Sequence, residues 1–357
     1  MNKIQILISG GKHNAGLAMS YLRAFQKLGC EVGIFGDEEF YWQDKIFFKN
    51  RYTHRLFWKI FARKTNDEFI KKVIEYKPEL ILVFKGWFYS PKTIKKIKEL
   101  LPNVKLFCYN QENPFNTNWF TQFSYSNDWV VKSIPYFDAY FTWGRFLIEK
   151  IKKEGKAQNV YYLPFGCDPD IHYPVKVPDE EKNIYGSDIA FIGTYSKDRE
   201  DLLNLLLDYD LKIWGNGWQK ANKKLQEKWQ KKDVYDEEFS KICNASKIVL
   251  DILRPQMLPS HSMKTFEIPA CRGFLMQSRG GEIYDFFEDG KEIVTFSTPE
   301  ELKKKIDFYL KNDELREKTR EAGYQKVKNH TYFERAKKIL EVFNHNANDA
   351  NVREYGE

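Results

Sequence analysis

The residues from Ser260 to Glu267 place hydroxyl, ammonium and carboxylate groups within a few positions of one another. Ser260, Ser262 and Lys264 come first, and Glu267 follows three residues after Lys264. If Ser262 caps a helix, the free N–H groups of the first turn and the positive end of the helix dipole attract an anion. Lys264 and Glu267 then share one face of that helix. This pattern predicts a site for a nucleoside diphosphate, with its phosphates at Lys264 and its ribose hydroxyls at Glu267.

The sequence around this site carries a longer pattern. A short apolar strand at 273–276, a turn at Gly280-Gly281 and an acidic, aromatic segment follow Glu267. The stretch resembles the sugar-nucleotide half of GT-B glycosyltransferases, most closely the spore-maturation CgeB-like group within the group 1 family. That group has R-x-F-E-x-x-A-C-G, a Phe-Leu strand and F-x-x-G-x-E. The residues that match it, with Lys in place of the usual Arg at the first position, are Lys264, Phe266, Glu267, Ala270, Cys271, Phe287, Gly290 and Glu292. The resemblance implies a donor site here, to which Gly281 is also assigned.

Three positions depart from the family pattern. Pro269 replaces a helix former and is expected to kink the helix, because proline removes a backbone hydrogen bond. Arg272-Gly273 stands where a single glycine is usual, which predicts a helix that stops one residue later. Pro259 occupies the position of a second glutamate found in related retaining enzymes, eight residues before Glu267. The stereochemical outcome, inversion or retention, therefore stays open.

Loops after three other strands of this half resemble donor-binding loops of the same family. Glycine lets a phosphate approach closely, and successive N–H groups can cradle it. An ordinary turn is the alternative for the glycine loops, and a surface salt bridge is the alternative for Arg254. The residues assigned to the donor on this basis are Gly193, Thr194, Arg199, Gly215, Asn216 and Arg254.

The N-terminal half offers two candidates for the base that a sugar transfer needs at the acceptor hydroxyl. Glu112 follows a strand at a position where CgeB-like proteins often carry an acid, and it precedes Asn113-Pro114. His13 lies in a glycine-rich loop after the first strand, as in several GT-B enzymes. Glu112 is preferred, with a turn-capping role as its alternative. Gly11, Asn113 and Trp119 are assigned to the acceptor, although Trp119 could equally fill a core.

Composition limits the classes of partner. The apolar fraction of 42% is ample for two cores, and a net charge of +7 is too small to indicate a nucleic-acid binder. The five cysteines and six histidines show no metal-ligand spacing. Asp168-Pro169-Asp170 looks like a metal-binding D-x-D motif, but the proline and the position at an interdomain crossing indicate a rigid turn. We therefore expect neither a metal nor a cofactor.

Residues 40–64 interleave aromatic and cationic side chains. One interpretation is a peripheral membrane patch beside a lipid-linked acceptor, and the other is a partly buried helix with solvated cations. No segment of the sequence reaches the roughly 18 apolar residues of a membrane helix. The expected location is the cytoplasm, with contact at the inner face of the membrane under the first interpretation.

Strand and helix patterns alternate along the chain, which predicts an α/β fold with parallel sheets. With the resemblance, this implies the GT-B fold, in which two Rossmann-like domains face a central cleft. The predicted divisions are an acceptor domain at 1–174, a nucleotide-sugar domain at 175–330, a closing helix at 331–345 and a tail at 346–357.

The resulting hypothesis is metal-independent transfer of a sugar, most plausibly from a UDP-sugar, to a glycan, glycolipid or glycoprotein. One alternative is a glucosyltransferase that acts on modified DNA bases. Another is a sugar-nucleotide-binding protein without turnover.

Overall fold

A computed structural model describes residues 3–37, 39, 51–116 and 128–354, with the side chains of 51–57, 61 and 346–354 outside that description. The chain forms two compact units. The N-terminal unit comprises Met1–Pro164 together with Phe333–Glu357, and the C-terminal unit comprises Phe165–Tyr332.

The N-terminal unit contains a six-stranded parallel sheet in the order β2-β1-β3-β4-β5-β6. Its central strands are continuous apolar runs, as expected for a sheet covered on both faces. The strands are β1 Gln5–Ser9, β2 Glu31–Phe35, β3 Leu80–Phe84, β4 Lys105–Asn110, β5 Ala139–Thr142 and β6 Val160–Tyr162.

Helices connect these strands. Ser90 caps the third helix, since its Oγ accepts the N–H of Thr93 at 3.1 Å while Pro91 occupies the first helical position. The helices are α1 Leu17–Lys27, α2 Arg51–Tyr76, α3 Pro91–Leu100, α4 Asp128–Ser133 and α5 Ile148–Lys153, with short 3-10 turns at Ile134–Tyr136 and Arg145–Leu147.

The C-terminal unit contains a five-stranded parallel sheet in the order β11-β10-β9-β7-β8. Apolar side chains from its strands and helices form one buried cluster that includes Phe191, Leu250 and Met276. The strands are β7 Ile189–Ile192, β8 Leu211–Trp214, β9 Ile248–Asp251, β10 Leu275–Ser278 and β11 Val294–Phe296.

The remaining helices complete the fold. The last helix stays helical in its backbone to Glu354, beyond 345. The helices are α6 Asp179–Tyr185, α7 Lys197–Leu203, α8 Lys223–Lys228, α9 Asp236–Ala245, α10 Lys264–Ala270, α11 Pro299–Lys311, α12 Asp313–Val327 and α13 Tyr332–Glu354, with 3-10 turns at Asn204–Leu206, Trp218–Lys220, Pro255–Met257 and Ile283–Asp285.

The two parallel sheets confirm the predicted fold class. Within each sheet the carboxyl ends of the strands meet at one edge, which is where ligands bind in open α/β sheets. That edge of the C-terminal unit carries the loops after β7, β8, β9 and β10, and that of the N-terminal unit carries the loops after β1, β3 and β4. Within the described parts of the chain, no helix combines the length and hydropathy that a bilayer crossing requires.

Candidate functional site

Two glycine loops lie against each other at the edge of the C-terminal sheet. Gly193 donates its N–H to the carbonyl of Trp214 at 2.9 Å, and Tyr195 donates to the carbonyl of Asn216 at 2.8 Å. Gly215 has a φ of +123°, and a Cβ there would lie 2.3 Å from the Gly193 carbonyl oxygen. Only glycine fits at that position. The loops predicted to meet the donor are thus neighbours, joined through their backbones.

Arg199 forms hydrogen bonds with the backbone at this edge. Its Nε and Nη2 donate to the carbonyl of Ile252 at 3.1 and 2.9 Å, and its Nη1 donates to the carbonyl of Thr194 at 2.8 Å. Burial lowers the pKa of the guanidinium to about 10, and the nearby charge of Arg254 acts in the same direction. These hydrogen bonds therefore connect the ends of β7 and β9. They also hold the positive charge of Arg199 beside the loops that follow these strands.

The predicted cap of the next helix is wrong. α10 begins at Lys264, and its N-cap is Met263, whose side chain makes no capping bond. The hydroxyl of Ser262 instead donates to Asp251 Oδ2 at 2.6 Å, and Gln277 Nε2 donates to the same oxygen at 2.9 Å. The Asp251 carboxylate is buried and needs these donors more than a helix end needs a cap.

Lys264 and Glu267 lie one turn apart in α10, as predicted. Lys264 is half-buried, and its Nζ forms no hydrogen bond or ion pair with the residues that the structure describes. Glu267 is buried, and its Oε1 lies 3.9 Å from His172 Nε2. The site thus offers an ammonium group and a carboxylate one helical turn apart.

Sequence analysis gave His172 no role. Its Nδ1 accepts the N–H of Asp168 at 3.3 Å, so the ring carries its proton on Nε2, the atom that faces Glu267. The sequence signal for such a role was the four-residue spacing between Asp168 and His172. At this spacing the N–H of His172 donates to the carbonyl of Asp168 and closes one backbone turn.

Ser260 belongs to a fully buried chain of hydrogen bonds. The backbone N–H of Phe165 donates to His261 Nε2 at 3.2 Å, so the imidazole carries its proton on Nδ1 and donates to Ser260 Oγ at 2.7 Å. Ser260 in turn donates to Glu282 Oε2 at 2.7 Å. Its hydroxyl is therefore used inside the protein and supports the loop that precedes α10.

The Gly280-Gly281 turn packs against that same loop. A Cβ on Gly280 would lie 2.0 Å from the Ser260 carbonyl oxygen, and a Cβ on Gly281 would lie 2.9 Å from the Pro259 carbonyl oxygen. The turn permits close packing of two backbone segments beside the predicted donor residues.

The end of α10 differs from the expectation. Pro269 lies inside the helix, which ends at Ala270. Arg272 itself takes a left-handed φ of +58°, the conformation that glycine usually supplies at a helix end. The helix therefore stops at the usual place, and the prediction of a later stop at Gly273 is wrong.

The edge of the N-terminal sheet contains a cavity of about 280 Å³. Gly11 and His13, both predicted site residues, contribute to its wall. The described residues that line it are Gly10, Gly11, His13, Gly16, Leu17, Ala18, Asp37, Phe84, Lys85, Trp87, Phe88 and Gln111.

Glu112 is not among the residues that line this cavity, but it lies close to Lys85, which is. The Lys85 Nζ is 3.7 Å from Glu112 Oε1, and Lys85 has a left-handed φ of +61°. Asn113 uses its Oδ1 to accept the N–H of Phe115 at 3.0 Å, and Trp119 lies outside the described residues.

The Asp168-Pro169-Asp170 segment forms a turn. Asp168 Oδ1 accepts the N–H of Asp170 at 3.1 Å, which engages the carboxylate within the turn. Among the residues described, no three histidine, cysteine or acidic side chains cluster as a metal site would require.

The 40–64 segment is described only in part. Trp58 is buried with Ala62 and Phe88, whereas Ile60 is 64% exposed and Lys59 is also exposed. Residues 40–50 and the side chains of 51–57 and 61 lie outside the description.

Comparison with known protein families gives one match. Residues 199–341 match the sequence model of a family described as glycosyl transferase-like. No curated protein sequence matches the chain significantly.

Solved structures match over nearly the whole chain. A glycosyltransferase from Rickettsia africae is 14% identical with a TM-score of 0.63, and the match covers 97% of this chain and 99% of that one. α,α-Trehalose 6-phosphate synthase from Burkholderia multivorans is 14% identical with a TM-score of 0.66, covering 99% of both chains. HepE from Anabaena, in complex with UDP-glucose, is 12% identical with a TM-score of 0.63, covering 96% of this chain and 100% of that one.

At these identities the structural matches show a shared fold, and the sequence match adds the family. The comparisons support the wide glycosyltransferase group, while the CgeB-like subgroup stays a prediction. Residues 199–341 match the glycosyl transferase-like sequence family, and the chain as a whole shares the GT-B fold of these solved structures.

Proposed function

We propose that the C-terminal unit binds a UDP-sugar and that the N-terminal unit binds the acceptor, a glycan, glycolipid or glycoprotein. The observation that carries the proposal is the pairing of Lys264, half-buried and without a bonding partner among the described residues, with the buried Glu267 one turn later. The two side chains match the two polar parts of a nucleoside diphosphate.

Lys264 supplies the charge for the diphosphate. A partly desolvated ammonium group is costly unless an anion compensates it. Arg254 and Arg199 add positive charge near the end of β9. α10 has seven residues, so these side chains rather than the helix dipole carry the attraction. Fixed cations stabilise the charge that develops on a leaving diphosphate, which is the task a metal performs in other transferases.

Glu267 supplies the acceptor oxygens for the ribose. Its carboxylate is buried, and the 3.9 Å that separates it from His172 Nε2 is longer than a hydrogen bond. Ribose hydroxyls would donate to it, and hydrogen bonds to a charged acceptor are stronger than neutral ones.

The choice of uridine draws on one of the structural matches. HepE from Anabaena, which shares the fold, was solved with UDP-glucose, and also with UDP and glucose together. A uridine base is therefore the first to test here.

The acceptor hydroxyl needs a base, and Glu112 is proposed for that role with His13 as the second candidate. Both follow strands at the same edge of the N-terminal sheet. His13 lines the cavity, and Glu112 is linked to its wall through Lys85.

A lipid-linked acceptor would bring the protein to a membrane, and the 40–64 segment is the proposed contact. Lys59, Arg63 and Lys64 are exposed, while Trp58 points inward. This arrangement favours electrostatic attraction to anionic lipid over aromatic insertion. Sedimentation with phosphatidylserine vesicles tests it, and equal sedimentation with neutral vesicles would contradict it.

Screening nucleotide sugars by thermal shift, followed by a transfer assay with the best donor, tests the proposed function. A ligand at a hundred times its Kd adds about 2.7 kcal/mol to stability. We expect UDP and at least one UDP-sugar to raise Tm. Binding without turnover would favour the sugar-nucleotide-binding alternative. A strong, salt-dependent DNA affinity would favour the DNA-base alternative.

A further inference from the structure

The cavity of the N-terminal unit has walls of two kinds. Its polar side chains include a carboxylate, an ammonium group, an imidazole and an amide, and its apolar side chains include three aromatic rings. The polar members are Asp37, Lys85, His13 and Gln111, and the aromatic members are Phe84, Trp87 and Phe88. We infer that this cavity binds one uncharged sugar ring. The inference rests on the proposed function, because that ring would be the accepting residue of the glycan.

Asp37 argues against an anionic occupant. It is the only carboxylate among the described lining residues, and its residue is 4% exposed. Its charge also reaches Tyr89 behind this part of the chain, because burial and then the Asp37 charge raise the pKa of that phenol. A phosphate placed beside this carboxylate would be repelled, whereas a hydroxyl would donate a hydrogen bond to it.

Gln111 points to the same class of ligand. Its Oε1 is buried and has no hydrogen-bond partner among the described residues. Buried oxygens without partners are rare in native proteins, and each one needs an explanation. A ligand hydroxyl would supply the missing donor. Lys85 and His13 supply donors of their own, so the wall both accepts and donates, as the hydroxyls of a sugar require.

Two aromatic residues of the cavity pack with a buried apolar cluster, which fixes their position. Phe88 packs with Trp58 and Ala62 of α2, and Trp87 and Trp129 pack against that cluster. Trp87 is half-buried and lines the cavity, so part of its ring is available to a ligand. The negative face of an aromatic ring attracts the weakly positive C–H face of a pyranose. A volume of about 280 Å³ lies at the small end for ligand cavities, which fits a single ring.

Ligand-observed NMR titration of the full chain tests the inference. The probes are methyl glycosides of glucose, galactose, mannose and N-acetylglucosamine, together with glucose 6-phosphate. We expect at least one neutral glycoside to bind and glucose 6-phosphate to bind more weakly. Asp37→Asn should weaken the neutral glycoside roughly ten- to a hundred-fold, because it removes a charge-assisted bond, and should lessen the discrimination against phosphate.

Glu39→Gln is the matched control. It removes a negative charge two residues away, but Glu39 pairs with Lys12 at 3.0 Å and does not line the cavity. We expect glycoside binding by this variant to match that of the unaltered chain.

A parallel titration with UDP separates the inference from the proposed function. If UDP binds but no neutral glycoside does, the inference is overturned and the donor proposal stands. Tighter binding of glucose 6-phosphate than of every glycoside, or unchanged affinity in a folded Asp37→Asn variant, also overturns it. If glycosides bind as expected but UDP does not, the donor proposal fails and the cavity assignment stands.

Discussion

The carboxyl edges of the two sheets differ in how their polar groups are used. In the C-terminal unit most of them bond within the protein: Arg199 to backbone carbonyls, Asp251 to Ser262 and Gln277, and Ser260 to its neighbours. In the N-terminal unit several polar side chains also line a cavity, among them Asp37, Lys85 and Gln111.

The difference suggests two ways of building a site. An edge stiffened by internal bonds presents fixed backbone loops and a few positioned charges, which suits a constant ligand such as a nucleoside diphosphate. An edge that encloses a cavity recognises its ligand through side chains, which can differ with the acceptor. Motifs therefore reveal the first kind of site, and three-dimensional structure is needed for the second.

The largest expected effect is a loss of catalytic rate without a loss of donor affinity. If Glu112 deprotonates the acceptor, Glu112→Gln should lower kcat roughly 10²–10⁴-fold and leave UDP affinity unchanged. Glutamine keeps the size of the side chain and removes its basicity. Steady-state kinetics with the identified donor measure this. A near-normal rate would shift the assignment to His13, and full activity in His13→Ala as well would exclude a base from these loops.

A substitution at Gly215 tests the close packing of the two glycine loops at the C-terminal edge. Gly215→Ala should lower the free energy of unfolding by about 2–5 kcal/mol, because it adds an unfavourable φ and a clash with the Gly193 carbonyl.

Gly290→Ala is the control for that experiment. Gly290 has a φ of +79°, and a Cβ there would meet nothing within 4 Å, so only backbone strain of about 1 kcal/mol is expected. Urea unfolding of the two variants gives the comparison. Equal losses would contradict the close approach of the two glycine loops.

A smaller effect tests the corrected role of Ser262. Ser262→Ala leaves the buried Asp251 one donor short and should cost about 1–3 kcal/mol of stability. Ser196→Ala is the matched control, since the Ser196 side chain makes no capping bond, and a change within about 0.5 kcal/mol is expected. Thermal unfolding measures both. A loss no greater than that of the control would show that the hydroxyl serves something other than Asp251.

No effect is expected from metal removal. The diphosphate charge is assigned to Lys264 and neighbouring arginines, so transfer should continue at the same rate in EDTA. Loss of turnover, restored by Mn²⁺ or Mg²⁺, would contradict the assignment.

Much of the fold was predictable because its central strands are apolar runs between turns. The bounds of β2 at Glu31–Phe35 and β3 at Leu80–Phe84 agree with the sequence pattern. α2 runs from Arg51 to Tyr76, so it includes part of the 40–64 segment, for which a partly buried helix was one of two interpretations. Its first half mixes cations and aromatics without an apolar stripe, so periodicity gave no helical signal there.

The site was predictable where it depends on residues close in sequence. Lys264 and Glu267 lie in one helix, as their spacing suggested. The partners of Ser262 and Glu267 were not predictable, because Asp251, Gln277 and His172 come from other elements and meet them only through sheet register and loop packing. Asp37 and Lys85 belong to no motif and were recognised only from the cavity that they line.

The most direct test of the donor site is isothermal titration of UDP into the unaltered chain, Glu267→Ala and Glu314→Ala. Glu314 is an exposed acid of the same unit and serves as the control. Loss of the ribose bonds should weaken UDP binding by about 1.5–3 kcal/mol in Glu267→Ala, with no change in Glu314→Ala. A folded Glu267→Ala variant that binds UDP as tightly as the unaltered chain would contradict the account.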